Sequence, residues 1–219
     1  MAPPGPFLVG IAGGSGSGKT ALAGALGQYL QPAVVARLAQ DAYYRDRREV
    51  PPAGRDGLDF DTPEAFDRDL FVEHVHALRS GRPVRPPRYC FVTHRRLGHG
   101  EPVEPADIVL VEGLFPLWDP RARDLFDLSI YLDAPEPVRL SRRLARDLRE
   151  RGRTEQSVIE QCRRWTFPAH WRFVEPGRAW ADVVLINAGR LEAVAEVAAT
   201  IIRDHHARRQ GPAAQVRSA

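Results

Sequence analysis

A short apolar run at residues 7–12 ends in Gly13-Gly14-Ser15-Gly16-Ser17-Gly18-Lys19-Thr20, and a helical pattern starts at Lys19. Strand, glycine-rich turn and helix in that order fit the pattern G-x-x-x-x-G-K-[ST] at Gly13, Gly18, Lys19 and Thr20. The glycines let the backbone wrap a polyphosphate, so that successive N–H groups and the positive helix end face it. Lys19 then reaches the outer phosphates, and the Thr20 hydroxyl is left for Mg²⁺. Lys19 is also the only lysine in the chain; every other basic position among the 31 is arginine. A compact ammonium kept only here marks a site that a planar guanidinium cannot serve.

Further apolar runs at 34–36, 108–111, 128–132 and 183–186 alternate with helical patterns at 19–30, 63–80, 137–151, 155–165 and 191–209. Continuous apolar strands separated by helices predict an α/β fold, a mostly parallel five-stranded sheet with helices on both faces and right-handed crossovers. The expected layout is one domain over 1–219, with an insertion at about 83–105 and a helical lid at about 137–165. The small polar tail 210–219 is expected to fray. The insertion lacks a helical period and mixes Tyr89, Phe91 and His94 with several arginines, so it reads as a hairpin or long loop. Segments of this kind are usually binding elements, with a disordered insertion as the alternative.

Two strand ends add acids. The run 108–111 delivers Glu112, and the segment Arg37-Leu38-Ala39-Gln40 delivers Asp41, both at the carboxyl edge where open α/β sheets bind ligands. Beside a phosphate loop, such acids hold the metal directly or through water. Composition closes other routes. The net charge of +3 and the acids interleaved among the arginines of 137–151 disfavour a nucleic-acid coat. No apolar stretch approaches a membrane span. Cys90 and Cys162 are too far apart for a zinc or redox motif and suit a reducing cytoplasm. The histidines outside the hairpin show no metal-ligand spacing and read as structural or exposed.

With these elements placed, the chain resembles the uridine kinase (uridine-cytidine kinase) family of the phosphoribulokinase/uridine kinase P-loop kinases. The residues that carry the resemblance are the phosphate loop, Gln40-Asp41-Ala42-Tyr43-Tyr44, Asp59-Phe60-Asp61-Thr62-Pro63, Pro87-Arg88-Tyr89-Cys90-Phe91-Val92-Thr93-His94, Glu112-Gly113 and Arg142-Arg143-Leu144-Ala145-Arg146-Asp147. The resemblance implies transfer of the γ-phosphoryl group from ATP, with Mg²⁺, to the 5′-hydroxyl of a pyrimidine nucleoside. It implies that Asp41 sits beside that hydroxyl and that Asp61 holds the ribose diol. Tyr89, Phe91 and His94 would enclose the base, with Tyr44 and Gln161 nearby. Arg143, Arg146, Arg151 and Arg153 would form a lid over the phosphates, and Lys19, Asp41 and Arg146 would carry the catalysis. Thr20, Glu112 and Asp41 would hold the metal, and a homo-oligomer, often a tetramer, is expected.

Chemistry supports this division. An ionised carboxylate accepts two hydroxyl donors of a vicinal diol, and arginine forks suit phosphate oxygens. Asp61 could instead cap the helix expected after Pro63, although Thr62 can take that place. Arg139, Arg142 and Arg149 are expected on a solvated face, paired with Asp147, Glu150 or Glu136. Three departures from the family pattern stand out: Cys90 in place of an aspartate, the bulky Trp165-Thr166-Phe167-Pro168, and Ile186-Asn187-Ala188-Gly189 in place of a proline and two glycines. Competing readings are a kinase of the same group acting on phosphoribulose, pantothenate or another riboside, a nucleotide-binding regulator without turnover, and an RNA-binding module.

Overall fold

A computed structural model describes residues 5–47 and 59–211. Its frame is a five-stranded, all-parallel sheet in the order β2-β5-β1-β6-β7, formed by β1 (Phe7–Ala12), β2 (Val35–Ala39), β5 (Ile108–Gly113), β6 (Leu128–Asp133) and β7 (Val183–Ile186). The antiparallel pair β3 (Pro87–Cys90) and β4 (Arg95–His99) forms the expected hairpin, extended by a bridge between Val84 and Val103. The longer helices are α1 (Lys19–Tyr29), α2 (Arg68–Arg79), α3 (Glu136–Glu150), α4 (Glu155–Gln161) and α5 (Leu191–Gln210). Among the described residues no helix is long and apolar enough to cross a membrane. The expected fraying of 210–219 falls almost wholly on positions outside the described residues.

Both faces of β1 and β5 are buried, which is why their sequences are apolar without alternation. Successive side chains point to opposite faces. Val9, Ile11, Ile108 and Leu110 pack with Leu22 and Leu26 of α1 and with Ala195, Ala198, Ala199 and Ile202 of α5. Leu8, Val109 and Val111 pack on the other side with Tyr43, Phe66, Phe71, Val75 and Leu78.

Two expected helices differ from the structure. The helix at 63–80 is a 3₁₀ turn at Pro63–Ala65, an extended Phe66, and then α2. Phe66 is 1% exposed, and burying its ring holds the backbone outside helical space. The cap of α2 is therefore Asp67, whose side chain accepts from Leu70 N. Neither Asp61 nor Thr62 provides a side-chain cap. The helix at 155–165 stops at Gln161 and continues as wide π turns over Cys162–Thr166 and His170–Val174.

Candidate active site

Strand register brings three distant segments to one edge of the sheet. Glu112 lies between Ile11 on β1 and Ala39 on β2. The phosphate loop leaves β1 directly after Ala12, and Asp41 follows β2 in a 3₁₀ turn. Gln40 locks that turn in place, its Oε1 accepting from Phe115 N at 2.8 Å.

The loop has its expected geometry. Gly16 has φ +80, and a Cβ there would lie 2.2 Å from the Arg139 carbonyl oxygen. Gly18 caps α1 in the left-handed region at φ +98. Lys19 Nζ donates to the Gly14 carbonyl at 3.0 Å. Burial lowers the Lys19 pKa, opposed by Glu112 and Asp41, so this ammonium depends on nearby anions. Thr20 Oγ1 donates to Glu112 Oε1 at 2.9 Å. Burial raises the Glu112 pKa, and Asp41 raises it further.

A cleft of about 840 Å³ opens above this edge. Of the expected loop residues, Ser15, Gly16, Gly18, Lys19 and Thr20 line it. Gly13, Gly14 and Ser17 do not, and they shape the loop from behind. Arg143, Arg146, Arg151 and Arg153 converge from α3 and the turn after it, and Asp41, Tyr44, Asp61, Tyr89, Phe91, His94, Glu112 and Gln161 complete the lining. Every expected side-chain site residue therefore reaches the same cavity.

The arginines are not arranged as the sequence suggests. Arg139 is 4% exposed, bonds the Ala134 carbonyl through Nε and lies against the phosphate loop. Arg142 donates to the carbonyls of Ser17 and Asn187 and to Asn187 Oδ1. Neither belongs to a solvated face, because α3 packs its flank onto the loop. Arg149 alone remains on that face, bonded to Glu150. Asp147 is fully buried and gathers three of these arginines: Arg146 lies 2.9 Å away, Arg151 3.5 Å and Arg143 3.6 Å. Burial, then the adjacent Arg146, lowers the Arg151 pKa. Such crowding of cations favours a polyanion between them.

At the far end, Arg143 donates to Ser15 Oγ at 3.1 Å, to Gln161 Oε1 at 2.9 Å and to Asp61 Oδ2 at 3.4 Å, so it spans phosphate loop and pocket. Arg153 also bonds Gln161 Oε1. The rings of Tyr44 and Tyr89 are 5.2 Å apart, with Phe91 edge-on to Tyr89 at 5.2 Å. His94, at φ +52 in the hairpin turn, stacks on Phe60 at 4.4 Å and 17°, and its Nδ1 is 3.3 Å from Tyr89 Oη. Arg151 lies 4.1 Å over Phe91, tying the turn after α3 to the hairpin.

Two contacts have little signature in the sequence. Thr166 Oγ1 donates to Asp61 Oδ2 at 2.6 Å. Asn187 is 2% exposed and donates from Nδ2 to the Ser17 carbonyl at 2.8 Å, fixing the loop's back. Both residues fall in stretches that depart from the family pattern, and Asn187 is a polar residue ending an apolar strand, but nothing in either stretch points to its partner.

Among the described residues no three histidine, cysteine or acidic side chains converge as a metal cluster. Thr20, Glu112 and Asp41 instead offer one hydroxyl and two carboxylates, hard oxygen donors, and burial followed by the charge of Asp41 raises the Glu112 pKa. That set fits Mg²⁺, which takes one or two carboxylates and completes its shell with waters and phosphate oxygens.

The model of the phosphoribulokinase / uridine kinase family matches residues 8–195. The uridine kinase of Anoxybacillus flavithermus is 39% identical over 198 residues, covering 90% of this chain and 94% of that protein. That of Geobacillus kaustophilus is 42% identical over 185 residues, covering 84% and 88%. In fold, the chain is similar to a possible uridine kinase from Bacillus stearothermophilus, with a TM-score of 0.61, 22% identity, and 84% and 91% of the two chains covered.

Proposed function

The chain belongs to the phosphoribulokinase/uridine kinase family, and on that premise we infer that it transfers the γ-phosphoryl group of ATP to the 5′-hydroxyl of uridine, with cytidine as a second acceptor. One observation carries the reading: a single cleft joins the phosphate loop with its lysine and two strand-end carboxylates to a pocket holding Asp61 and five aromatic rings, those of Tyr44, Phe60, Tyr89, Phe91 and His94.

The transferring group passes through a loose transition state with charge spread over its equatorial oxygens, so catalysis is mainly positioning and charge stabilisation. Backbone N–H groups of the loop cradle the donor phosphates, and Lys19 exchanges the Gly14 carbonyl for a phosphate oxygen. Arg143, Arg146, Arg151 and Arg153 close over the same charge, with Arg146 assigned to the group in transfer. Mg²⁺, held by Thr20, Glu112 and Asp41, would neutralise charge on the outer phosphates. Asp41 orients the 5′-hydroxyl and collects its proton late, when the developing bond has made it acidic.

The acceptor is placed by side chains. Asp61 accepts from the 2′- and 3′-hydroxyls, Tyr44, Tyr89 and Phe91 enclose the base, and His94 reads its edge. Gln161 braces the pocket through Arg143 and Arg153. A phosphorylated sugar acceptor would require cations where Asp61 stands, which favours the nucleoside over phosphoribulose. The test is the identity of the product. With ATP, Mg²⁺ and uridine, phosphorus NMR is expected to show uridine 5′-monophosphate; phosphate on the 2′- or 3′-oxygen, or no nucleotide, would overturn the reading.

A further inference from the structure

Asp61 enters the cleft from an irregular segment, so its side chain needs an external support. The residue is 6% exposed, and Oδ2 receives both Thr166 Oγ1 at 2.6 Å and Arg143 at 3.4 Å. Arg143 is a divided partner, because the same guanidinium holds Ser15 and Gln161 at shorter distances. Thr166 is the close one, within the range of a charge-assisted O–H···O⁻ bond. The wide turn Cys162–Thr166 makes this reach possible: with i→i+5 bonding, Gln161 and Thr166 stand about one turn apart, and their side chains meet the Arg143–Asp61 pair, Gln161 at Arg143 and Thr166 at Asp61. A regular helix would place Thr166 elsewhere around the axis. The hydroxyl has a single proton, given to Asp61, and the Cys162 side chain is its other hydrogen-bond neighbour. Burial pushes that thiol up and keeps its proton on.

We propose that Thr166 is a positioning residue for acceptor selection: its hydroxyl fixes the Asp61 carboxylate through Oδ2 and leaves the remaining acceptor capacity, chiefly Oδ1, for a vicinal diol. This rests on the assignment of Asp61 to the ribose hydroxyls. The consequence is selectivity for ribosides over 2′-deoxyribosides, tuned by a residue that touches neither substrate.

The experiment compares KM and kcat for uridine, 2′-deoxyuridine and ATP in three variants. Thr166→Val keeps shape and removes the hydroxyl, and is expected to raise KM for uridine roughly tenfold, the scale of a lost hydrogen bond to a charged group. KM for 2′-deoxyuridine and for ATP should stay within about twofold, so the preference for uridine contracts. Thr166→Ser restores the hydroxyl and should restore the preference. Equal damage with both acceptors, no change in either, or a serine variant as impaired as the valine one would overturn the proposal. Should the valine variant not fold, Thr166→Ala against Thr166→Ser gives the same comparison. Asp61→Asn separates the two levels. If it abolishes the preference while Thr166→Val does not, only the role of Thr166 fails; if it leaves the preference intact, the diol assignment fails and the proposal with it.

Discussion

The two ends of the cleft are made differently. The phosphate end is one continuous stretch, Gly13 to Thr20, working mainly through backbone N–H groups and held from behind by Arg139, Arg142 and Asn187. The acceptor end is made of side chains from separate segments: Tyr44 after β2, Phe60 and Asp61 before α2, the hairpin rings, Gln161 at the end of α4 and Thr166 in the turn that follows. A backbone site leaves few side chains to vary and suits one donor chemistry. A side-chain site can change its acceptor one residue at a time while the sheet stays as it is. Asp41, at the end of β2, stands where the two meet.

That contrast is sharpened most strongly at the junction. Asp41→Asn keeps shape but cannot take the proton, so kcat should fall roughly 10²–10⁴-fold, the usual range for a lost general base. Acceptor-free ATP binding, read by calorimetry, should change little. Loss of ATP binding would instead make Asp41 chiefly a metal residue of the phosphate end. Next comes Lys19→Arg, which places a broad planar head where Nζ sits 3.0 Å from the Gly14 carbonyl. Turnover should fall roughly 10²–10³-fold with little loss of thermal stability. Near-parental turnover would mean that charge alone suffices there.

The acceptor end should respond through KM. His94→Ala should raise KM for uridine about tenfold and leave KM for ATP near its parental value, as one lost base contact would. Parallel rises in both would show that the hairpin supports the whole cleft, and the division between its ends would break.

A last effect concerns the stability of the fold rather than turnover. His170 is buried beside Glu175, and burial, followed by the charge of Arg139, lowers its pKa to about 4 from 6.5. The unfolded chain takes up this proton near pH 6.5 and the folded chain only near pH 4. The stability His170 contributes is therefore complete above pH 6.5 and is lost as pH falls through that window, by about 3 kcal/mol at most. His170→Gln should flatten the pH dependence of denaturant unfolding between those values while leaving acceptor preference unchanged. An unchanged slope would contradict it.

The same contrast explains what a single sequence discloses. The loop, the strand ends Asp41 and Glu112, and the parallel order were legible because local chemistry encodes them: glycines where φ is positive, apolar runs where both faces are buried. The pocket residues became legible through family resemblance, which carries tertiary information that spacing lacks. Three features escaped. Arg139 and Arg142 looked solvated because an arginine-rich helix face gives no sign that it packs on a carbonyl-rich loop. Phe66 stopped a helix that Pro63 seemed to start, since burial outweighed local propensity. Thr166 meets Asp61 only because a π turn replaces a regular one, and neighbouring residues do not announce it.

The most direct test is the dependence of ADP formation on the acceptor. Wild-type protein with Mg²⁺ and ATP is supplied in turn with uridine, cytidine, ribulose 5-phosphate, pantothenate and no acceptor. Expected is slow ADP release without acceptor, acceleration of at least about 10²-fold by uridine or cytidine from completing the reacting geometry, and none from the other two compounds. ADP release indifferent to nucleoside, or driven by the phosphorylated sugar or pantothenate, would contradict a cleft built for ATP at one end and a pyrimidine riboside at the other.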